Sequence, residues 1–227
     1  MARRRKDELE EPIVDLGEVS GQATDFYERN QRIILGVFAG IALVVVAYFA
    51  YSNFYQSPRE IEAGAQISKA QFAMQQDSFE KALNDPGGGY DGFIGISEKY
   101  GGTKAGNLSK FYAAQSFLQL GNFDIAIRYL NDYSAKESLT KSLKQGMLGD
   151  AYSELQKFDK AISHYKKAAS ASGDDATAPY YLKKAGMLLE KQGKAKDALN
   201  IYKKIQKEYY ETEIGKNIDK YISRVEK

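Results

Sequence analysis

The chain has 227 residues, enough for one ordinary domain with appendages, and its 32 Lys and Arg nearly balance its 30 Asp and Glu. The net charge of +2 gives no global field of the kind that nucleic-acid-binding proteins use. The lack of cysteine excludes disulfide scaffolds, thiolate metal sites and thiol nucleophiles, and a single histidine excludes a multi-histidine metal site. We therefore expect no nucleic-acid partner, no metal and no cofactor.

A charged tail, residues 1–24, opens the chain with a basic block, RRRK, followed by an acidic block, DELEE. It has few large apolar side chains with which to build a core, so we predict that most of it is mobile. Residues 25–57 follow as a juxtamembrane segment and a transmembrane helix.

The membrane prediction depends on residues 33–51, nineteen residues without a charge. At about 1.5 Å per helical residue they span roughly 28 Å, close to the roughly 30 Å hydrocarbon core of a bilayer. Eleven of them are Ile, Leu, Val or Phe. These side chains favour insertion by roughly 3 to 7 kcal/mol, which predicts a single transmembrane helix.

The alternative for this segment is a cleaved signal peptide. Such a peptide has an apolar run of about 7–15 residues and ends in a small-residue cleavage site. Here 32 residues precede the run, the run is longer, and it offers no Ala-x-Ala site. The pattern therefore favours a retained anchor.

Basic residues are distributed unequally around the span. Those before it are Arg3, Arg4, Arg5, Lys6, Arg29 and Arg32, and those within twenty residues after it are Arg59 and Lys69. The positive-inside rule therefore predicts a cytoplasmic N-terminus and export of residues 58–227.

Gly36 and Gly40 form a GxxxG pair on one face of the predicted span. Such a pair lets a second helix approach closely, so these residues are candidates for a helix–helix contact in the membrane. The alternative is that glycine is simply frequent in membrane helices.

Behind the span, residues 107–206 repeat with a period of about 34 residues, which is the length of a helix–turn–helix repeat. The aligned segments are residues 111–133, 146–168 and 183–205, with small alanines at Ala126, Ala161 and Ala198. A helix pair of this kind cannot bury its apolar stripe alone, so the pairs stack into a superhelix. The pattern resembles the tetratricopeptide repeat.

Each repeat shows the same alternation of small and large side chains. The first helices carry a small residue at Ala114, Gly149 and Gly186, and the second helices carry a large one at Leu130, Tyr165 and Tyr202. We predict that the small residue lets the neighbouring helix approach.

Helical patterns also flank the repeats. Residues 63–73 and 93–100 predict a degenerate first helix pair within residues 58–106, interrupted by a Pro-Gly segment at residues 85–89. Apolar residues spaced over 214–225 predict one amphipathic capping helix at the end of the domain formed by residues 107–227. The fold class is therefore all-α: one N-terminal transmembrane helix, then a tetratricopeptide-like solenoid of about four helix pairs with a C-terminal cap.

The residue inventory argues against an enzyme. His164 lies between Ser163 and Tyr165 on a predicted helix without the partner motif of a general base, so we interpret it as a partly exposed helix residue. The glycines at 87–89 lack the surrounding pattern of a phosphate-binding loop.

The solenoid does offer a concave groove, which in tetratricopeptide repeats is lined by the first helix of each pair. Alignment places eight candidate partner-binding residues there: Phe111, Gln115, Leu118, Leu143, Asp150, Tyr180, Lys183 and Met187. Their mixture of apolar and polar side chains suits an extended or partly folded segment. The alternative is that some of them pack against an adjoining helix.

The order of parts narrows the resemblance. The segments DFYERN and REIEA on either side of the GxxxG span resemble YfgM-type proteins, and FIGISEKYGGTKAGNLSKFYAA is similar to Bacteroidetes variants of that family. The resemblance implies a single-pass protein of the bacterial inner membrane with a periplasmic tetratricopeptide-like domain. It also implies an ancillary subunit of the SecYEG translocon that is linked to periplasmic chaperones.

Three functional hypotheses follow. The first is a non-catalytic accessory subunit of the Sec translocon, whose periplasmic domain contacts emerging secreted chains or chaperones. The second is a homo-oligomeric, membrane-anchored scaffold for another envelope process, such as cell-wall synthesis or a dedicated secretion system, with Gly36 and Gly40 joining the copies. A hydrolase or transferase with an unrecognised site is a third reading that the residue inventory disfavours.

Overall fold

The computed structural model describes residues 16–226, and side-chain environments from residue 26 onward. Every regular element within this range is helical, which confirms the all-α prediction. The chain divides into two compact units, one ending at Ser57 and the other beginning at Pro58.

The first unit contains one long helix, α1 (Leu16–Tyr51), followed by a short π-helical segment at Ser52–Gln56. The predicted tail comprises residues 1–24. Its residues 1–15 lie outside the described part of the chain, whereas residues 16–24 belong to α1. An established helix extends at little cost, because each added residue gains a backbone hydrogen bond. The helical chain here holds one stretch long and apolar enough to cross a membrane, and none of that stretch is buried.

The second unit is a solenoid of stacked helices. Its first part comprises α2 (Ser57–Gln75), α3 (Phe79–Asn84), α4 (Phe93–Lys99), α5 (Lys104–Gln119) and α6 (Phe123–Asp132). Its second part comprises α7 (Ser138–Glu154), α8 (Phe158–Ser172), α9 (Thr177–Lys191), α10 (Ala195–Glu208), α11 (Glu213–Lys216) and α12 (Asp219–Val225). The helices pair in chain order as the repeat pattern predicts.

Four turns of the same geometry join the first helix of each pair to the second. Each contains one residue with φ between 55° and 75°: Asp77, Gly121, Gln156 and Gly193. One residue further on, a backbone N–H donates to a carbonyl five residues back, as in the bond from Asn122 to Phe117 at 2.8 Å. This bond satisfies a carbonyl that the helix end leaves open.

The first pair differs from the prediction. Its second helix begins at Phe79 rather than Phe93, and Ala82 in α3 is fully buried like Ala126 in α6. The helix stops at Asn84 because Pro86 and the following glycines cannot continue it. The segment from Phe93 onward resumes as α4, which places Phe93 and Ile96 in the core.

The capping helix is also not continuous, although the predicted residues form its apolar side. Ile218 and Ile222 are buried, but α11 ends at Lys216 and α12 starts at Asp219. The entry is fixed by Thr212, whose side chain accepts a hydrogen bond from the Gly215 N–H at 3.0 Å. Such a cap begins a helix sharply, and the four residues of α11 bring the chain back over α9 and α10.

Candidate protein-binding groove

Glycine and tyrosine interlock the two helices of the later pairs. A Cβ atom built on Gly149 would lie 2.5 Å from two ring carbons of Tyr165, and one on Gly186 would lie 2.4 Å from a ring carbon of Tyr202. Only glycine leaves room for these rings. In the α5–α6 pair, the fully buried Ala114 and Leu130 stand at the matching positions. The helices therefore approach through small residues, as the alternation predicted.

The phenol of Tyr165 brings together a polar cluster. It donates a hydrogen bond to Oδ1 of Asp150 on α7 at 2.6 Å, and the amine of Lys184 on α9 reaches the same oxygen at 2.5 Å. The Lys184 amine also lies 5.2 Å from the ring centre of Tyr165 and 5.3 Å from that of Tyr180. Charge-assisted hydrogen bonds of this kind hold the side chains of three consecutive helices in one arrangement.

A second cluster of the same type closes the end of the solenoid. The Tyr202 phenol donates to Oε2 of Glu190 at 2.8 Å, and the guanidinium of Arg224 on α12 donates to both carboxylate oxygens, at 2.5 and 2.7 Å. This fork geometry fixes the position of α12 relative to α9.

The Asp150 cluster borders a cavity of about 410 Å³, and the side chain of Leu118 also lines this cavity. Two of the predicted groove residues, Asp150 and Leu118, are thus brought to one concavity between α5 and α7. Phe123, Ser153 and Glu154 complete much of its wall. The cavity combines apolar carbon atoms with an ordered ion pair, which is a surface that a polypeptide can occupy.

The other predicted groove residues differ in exposure. Tyr180 and Met187 on α9 are 43% and 45% exposed. Gln115 and Leu143 are partly exposed. Phe111 is partly buried because its ring packs against Tyr133, with 5.3 Å between the ring centres.

Lys183 does not join the Asp150 cluster. Its amine lies 5.9 Å from the ring centre of Tyr221, on the capping helix. The neighbouring Lys184 makes the ion pair instead. Sequence alignment of the repeats missed Lys184 and Tyr165 as groove residues. The signal that could have found them is the Gly149–Tyr165 pairing, because it orients a phenol toward the end of α7 that bears Asp150.

The titratable groups of this region favour packing and hydrogen bonding over acid–base chemistry. Burial, with the nearby Asp150 carboxylate, raises the pKa of Tyr165 far above its usual range and that of Tyr181 to about 12. Burial also lowers the pKa of His164, whose ring stacks on Tyr152 and whose Nδ1 lies 2.8 Å from Oε1 of Gln145. Both phenols are therefore neutral at physiological pH, that of Tyr165 as a hydrogen-bond donor, and the imidazole is a neutral packing group.

In the first unit, the GxxxG face is open. A Cβ built on Gly36 or Gly40 would meet no atom within 4 Å. The side chains around them are exposed, for example Phe38 at 66% and Leu43 at 71%. Both glycines are thus available for contact with another helix.

Comparison with known proteins supports the repeat assignment. Two family models, both described as Tetratricopeptide repeat, match residues 145–175 and 182–209. A solved structure described as the crystal structure of MamA protein is similar with a TM-score of 0.53 and 13% sequence identity, covering 72% of this chain and 90% of that one. No curated protein sequence matches the chain. Residues 145–175 and 182–209 are therefore tetratricopeptide repeats, and the second unit is a tetratricopeptide-like α-solenoid, a fold that typically serves as a non-catalytic scaffold for protein partners.

Proposed function

We propose that the protein is a single-pass accessory subunit of the Sec translocon in the bacterial inner membrane. The anchor would be the apolar segment of α1, with the N-terminus cytoplasmic and the repeats in the periplasm. The groove would hold emerging secreted chains or chaperones. The observation that carries the proposal is the pairing, in one chain, of an exposed apolar helix with a solenoid whose cavity joins Leu118 to the ordered Asp150–Lys184 pair.

The resemblance to YfgM-type proteins favours the translocon as partner, and the flanking charges of the span favour the proposed orientation. A groove with both apolar surface and a fixed ion pair accepts extended segments of varied sequence, which suits a site for incompletely folded chains. Neither the resemblance nor the groove requires catalytic chemistry.

Photocrosslinking from the groove tests the partner. A benzophenone amino acid replacing Tyr180, in the full chain in living cells, is expected to capture secreted chains or chaperones. Tyr210 is a matched control, since it is an exposed tyrosine outside the groove at 63% exposure. Equal adducts from the two positions would contradict a specific role for the groove.

Purification in mild detergent tests the membrane partner. SecYEG subunits are expected to copurify with the full chain, and the double variant Gly36→Leu/Gly40→Leu is expected to lose them because leucine blocks close helix approach. Protease added to spheroplasts should degrade the repeat domain. Survival of that domain would contradict the proposed orientation, and absence of translocon subunits would contradict the proposed partner.

The open glycine face also supports a second candidate function, a homo-oligomeric scaffold for another envelope process. In this case crosslinking in membranes yields adducts between copies and none with the translocon. The Gly36→Leu/Gly40→Leu variant would then lose the self-adducts.

A further inference from the structure

Two phenylalanines occupy the same place in successive repeats. Phe123 is the first residue of α6 and Phe158 is the first residue of α8, and each follows the positive-φ residue of its turn by two positions. In each case the first helix of the next repeat ends close by in the repeat order. That helix ends at Glu154 after Phe123, and at Lys191 after Phe158. The two sites therefore share their construction but differ in the sign of one charge.

The α8 site shows which group this construction holds. The amine of Lys191 lies 4.6 Å from the ring centre of Phe158, which is a cation–π contact. At the α6 site a carboxylate, that of Glu154, stands at the position of this amine. Among residues 26–226, no cation lies over the Phe123 ring and no basic side chain pairs with Glu154.

A neighbouring ion pair shows that the two sites are otherwise equivalent. The amine of Lys157 lies 3.8 Å from Oδ1 of Asp124, and that of Lys194 lies 2.9 Å from Oδ1 of Asp159. These four residues hold matching positions in their turns and helices, so the same bridge joins each pair of repeats. The exchange of lysine for glutamate at the end of α7 is therefore a local difference on a common framework.

The cavity between α5 and α7 carries an unbalanced negative charge. Glu154 and Phe123 both line it, together with Asp150 and Lys184. The last two form an ion pair that is neutral as a unit, so the carboxylate of Glu154 is left over. The end of α7 adds to this charge, because the C-terminus of a helix carries negative partial charge and the last turn of α7 has no basic residue. A cation is therefore the group that this part of the cavity favours.

From this we infer that Glu154 and Phe123 form a subsite for a basic side chain of a bound polypeptide, arginine above all. The guanidinium pairs with the Glu154 carboxylate and stacks on the Phe123 ring. Arginine is preferred to lysine because its planar group can make both contacts at once. Leu118, which lines the same cavity, takes an apolar neighbour of the arginine. The inference rests on the proposed function only in that the groove holds a polypeptide.

Fluorescence anisotropy with short labelled peptides tests the subsite on the full chain in non-ionic detergent. The probes are the peptide GSLRLLSG and two versions of it in which citrulline, a neutral isostere, or glutamate replaces the arginine. Protein-free micelles serve as the blank. The wild type is expected to bind the arginine peptide about fivefold more tightly than the citrulline peptide, and the glutamate peptide most weakly.

Three variants locate the effect. Glu154→Gln should weaken binding of the arginine peptide about fivefold and leave the citrulline peptide unchanged. Glu80→Gln is the matched control, an exposed glutamate on α3 outside the cavity, and should change neither. Phe123→Leu keeps the site apolar but removes the ring, and should weaken the arginine peptide about threefold. Circular dichroism melting checks that the leucine variant stays folded.

The inference is overturned if the three peptides bind the wild type equally, or if Glu154→Gln weakens the arginine peptide no more than Glu80→Gln does. Equal binding contradicts the charge preference alone and leaves a groove that holds chains. Absence of binding by every peptide contradicts the groove as a polypeptide site as well, and with it that part of the proposed function. Copurification with SecYEG reports on the translocon independently of both results.

Discussion

The α5–α6 pair and the α7–α8 pair solve one packing problem in two ways. The first fills the contact with Ala114 and Leu130, and the second fills it with Gly149 and Tyr165. Both arrangements bury their side chains in close contact, but only the second carries a hydroxyl out of the core. That hydroxyl reaches Asp150, which in turn fixes Lys184. An exchange of one core pair thus decides whether the groove above it is apolar or ordered by charge.

The largest effect is expected from breaking the tight pair. Gly149→Ala would press a methyl group into the Tyr165 ring and lower the free energy of unfolding by about 3 kcal/mol. Adding Tyr165→Leu should restore at least about 1 kcal/mol, since alanine and leucine already coexist in the α5–α6 pair. Denaturant melts of the full chain in detergent measure both. No recovery in the double variant would show that the two pairs are not interchangeable.

A smaller effect is expected at two matched groove positions, one on α7 and one on α5. Asp150→Ala leaves the Tyr165 phenol and the Lys184 amine without their shared acceptor and should cost about 1.5 kcal/mol. Gln115 occupies the equivalent position in α5, and the residue of α6 that corresponds to Tyr165 is Leu130, which has no hydroxyl. Gln115→Ala should therefore cost less than about 0.5 kcal/mol in the same melts. Equal costs would contradict a special role for the phenol cluster.

A smaller effect is expected at the end of the solenoid. Tyr202→Phe removes the hydrogen bond to Glu190 while leaving the ring in the Gly186 contact, and should cost about 1 kcal/mol. Because α12 is held by the same carboxylate, its protection from hydrogen exchange should fall more than that of α5. A uniform loss across both helices would indicate a global rather than a local role.

The smallest effect is a dependence on pH. Hydrogen bonds from Arg224 lower the pKa of Glu190 below its ordinary value of 4.5. A carboxylate with a lowered pKa stabilises the fold above its unfolded value and loses that contribution as the pH falls through the folded value. The melting temperature of the wild type should therefore exceed that of Glu190→Gln at about pH 6, and the difference between the two temperatures should shrink toward about pH 3. A constant difference would contradict this assignment.

The repeat architecture was predictable from the sequence because it depends on the regular spacing of small residues along the chain. Ala126, Ala161 and Ala198 recur at nearly equal intervals, and their burial follows from that recurrence. Ala82 belongs to the same series but was not recognised from the sequence, since the Pro-Gly insertion after α3 lengthens the interval to the next repeat. The break within the cap was missed for a different reason. It depends on the Thr212 cap and on the backbone approach at Gly215, which periodicity does not reveal.

The groove was predictable only to the level of a helix face. Alignment identified Asp150 and Leu118, which line one cavity. It named Lys183 as a groove residue and left out Lys184, whose amine pairs with Asp150, because an ion pair depends on side-chain reach across helices as well as on register. Gly146, which aligns with the groove positions, lies against the hydroxyl end of Tyr181 and offers no free surface. Such occupation by a neighbouring repeat can be seen only in three dimensions.

The four equivalent turns have a practical consequence. Gly121 and Gly193 adopt the left-handed conformation freely, whereas Asp77 and Gln156 hold it with a side chain, at a cost of about 1 kcal/mol for each residue. Glycine at either position would relieve that strain without touching the groove. The natural array is thus less durable than its architecture allows, and thermostable versions for biochemical work are within reach of two point changes.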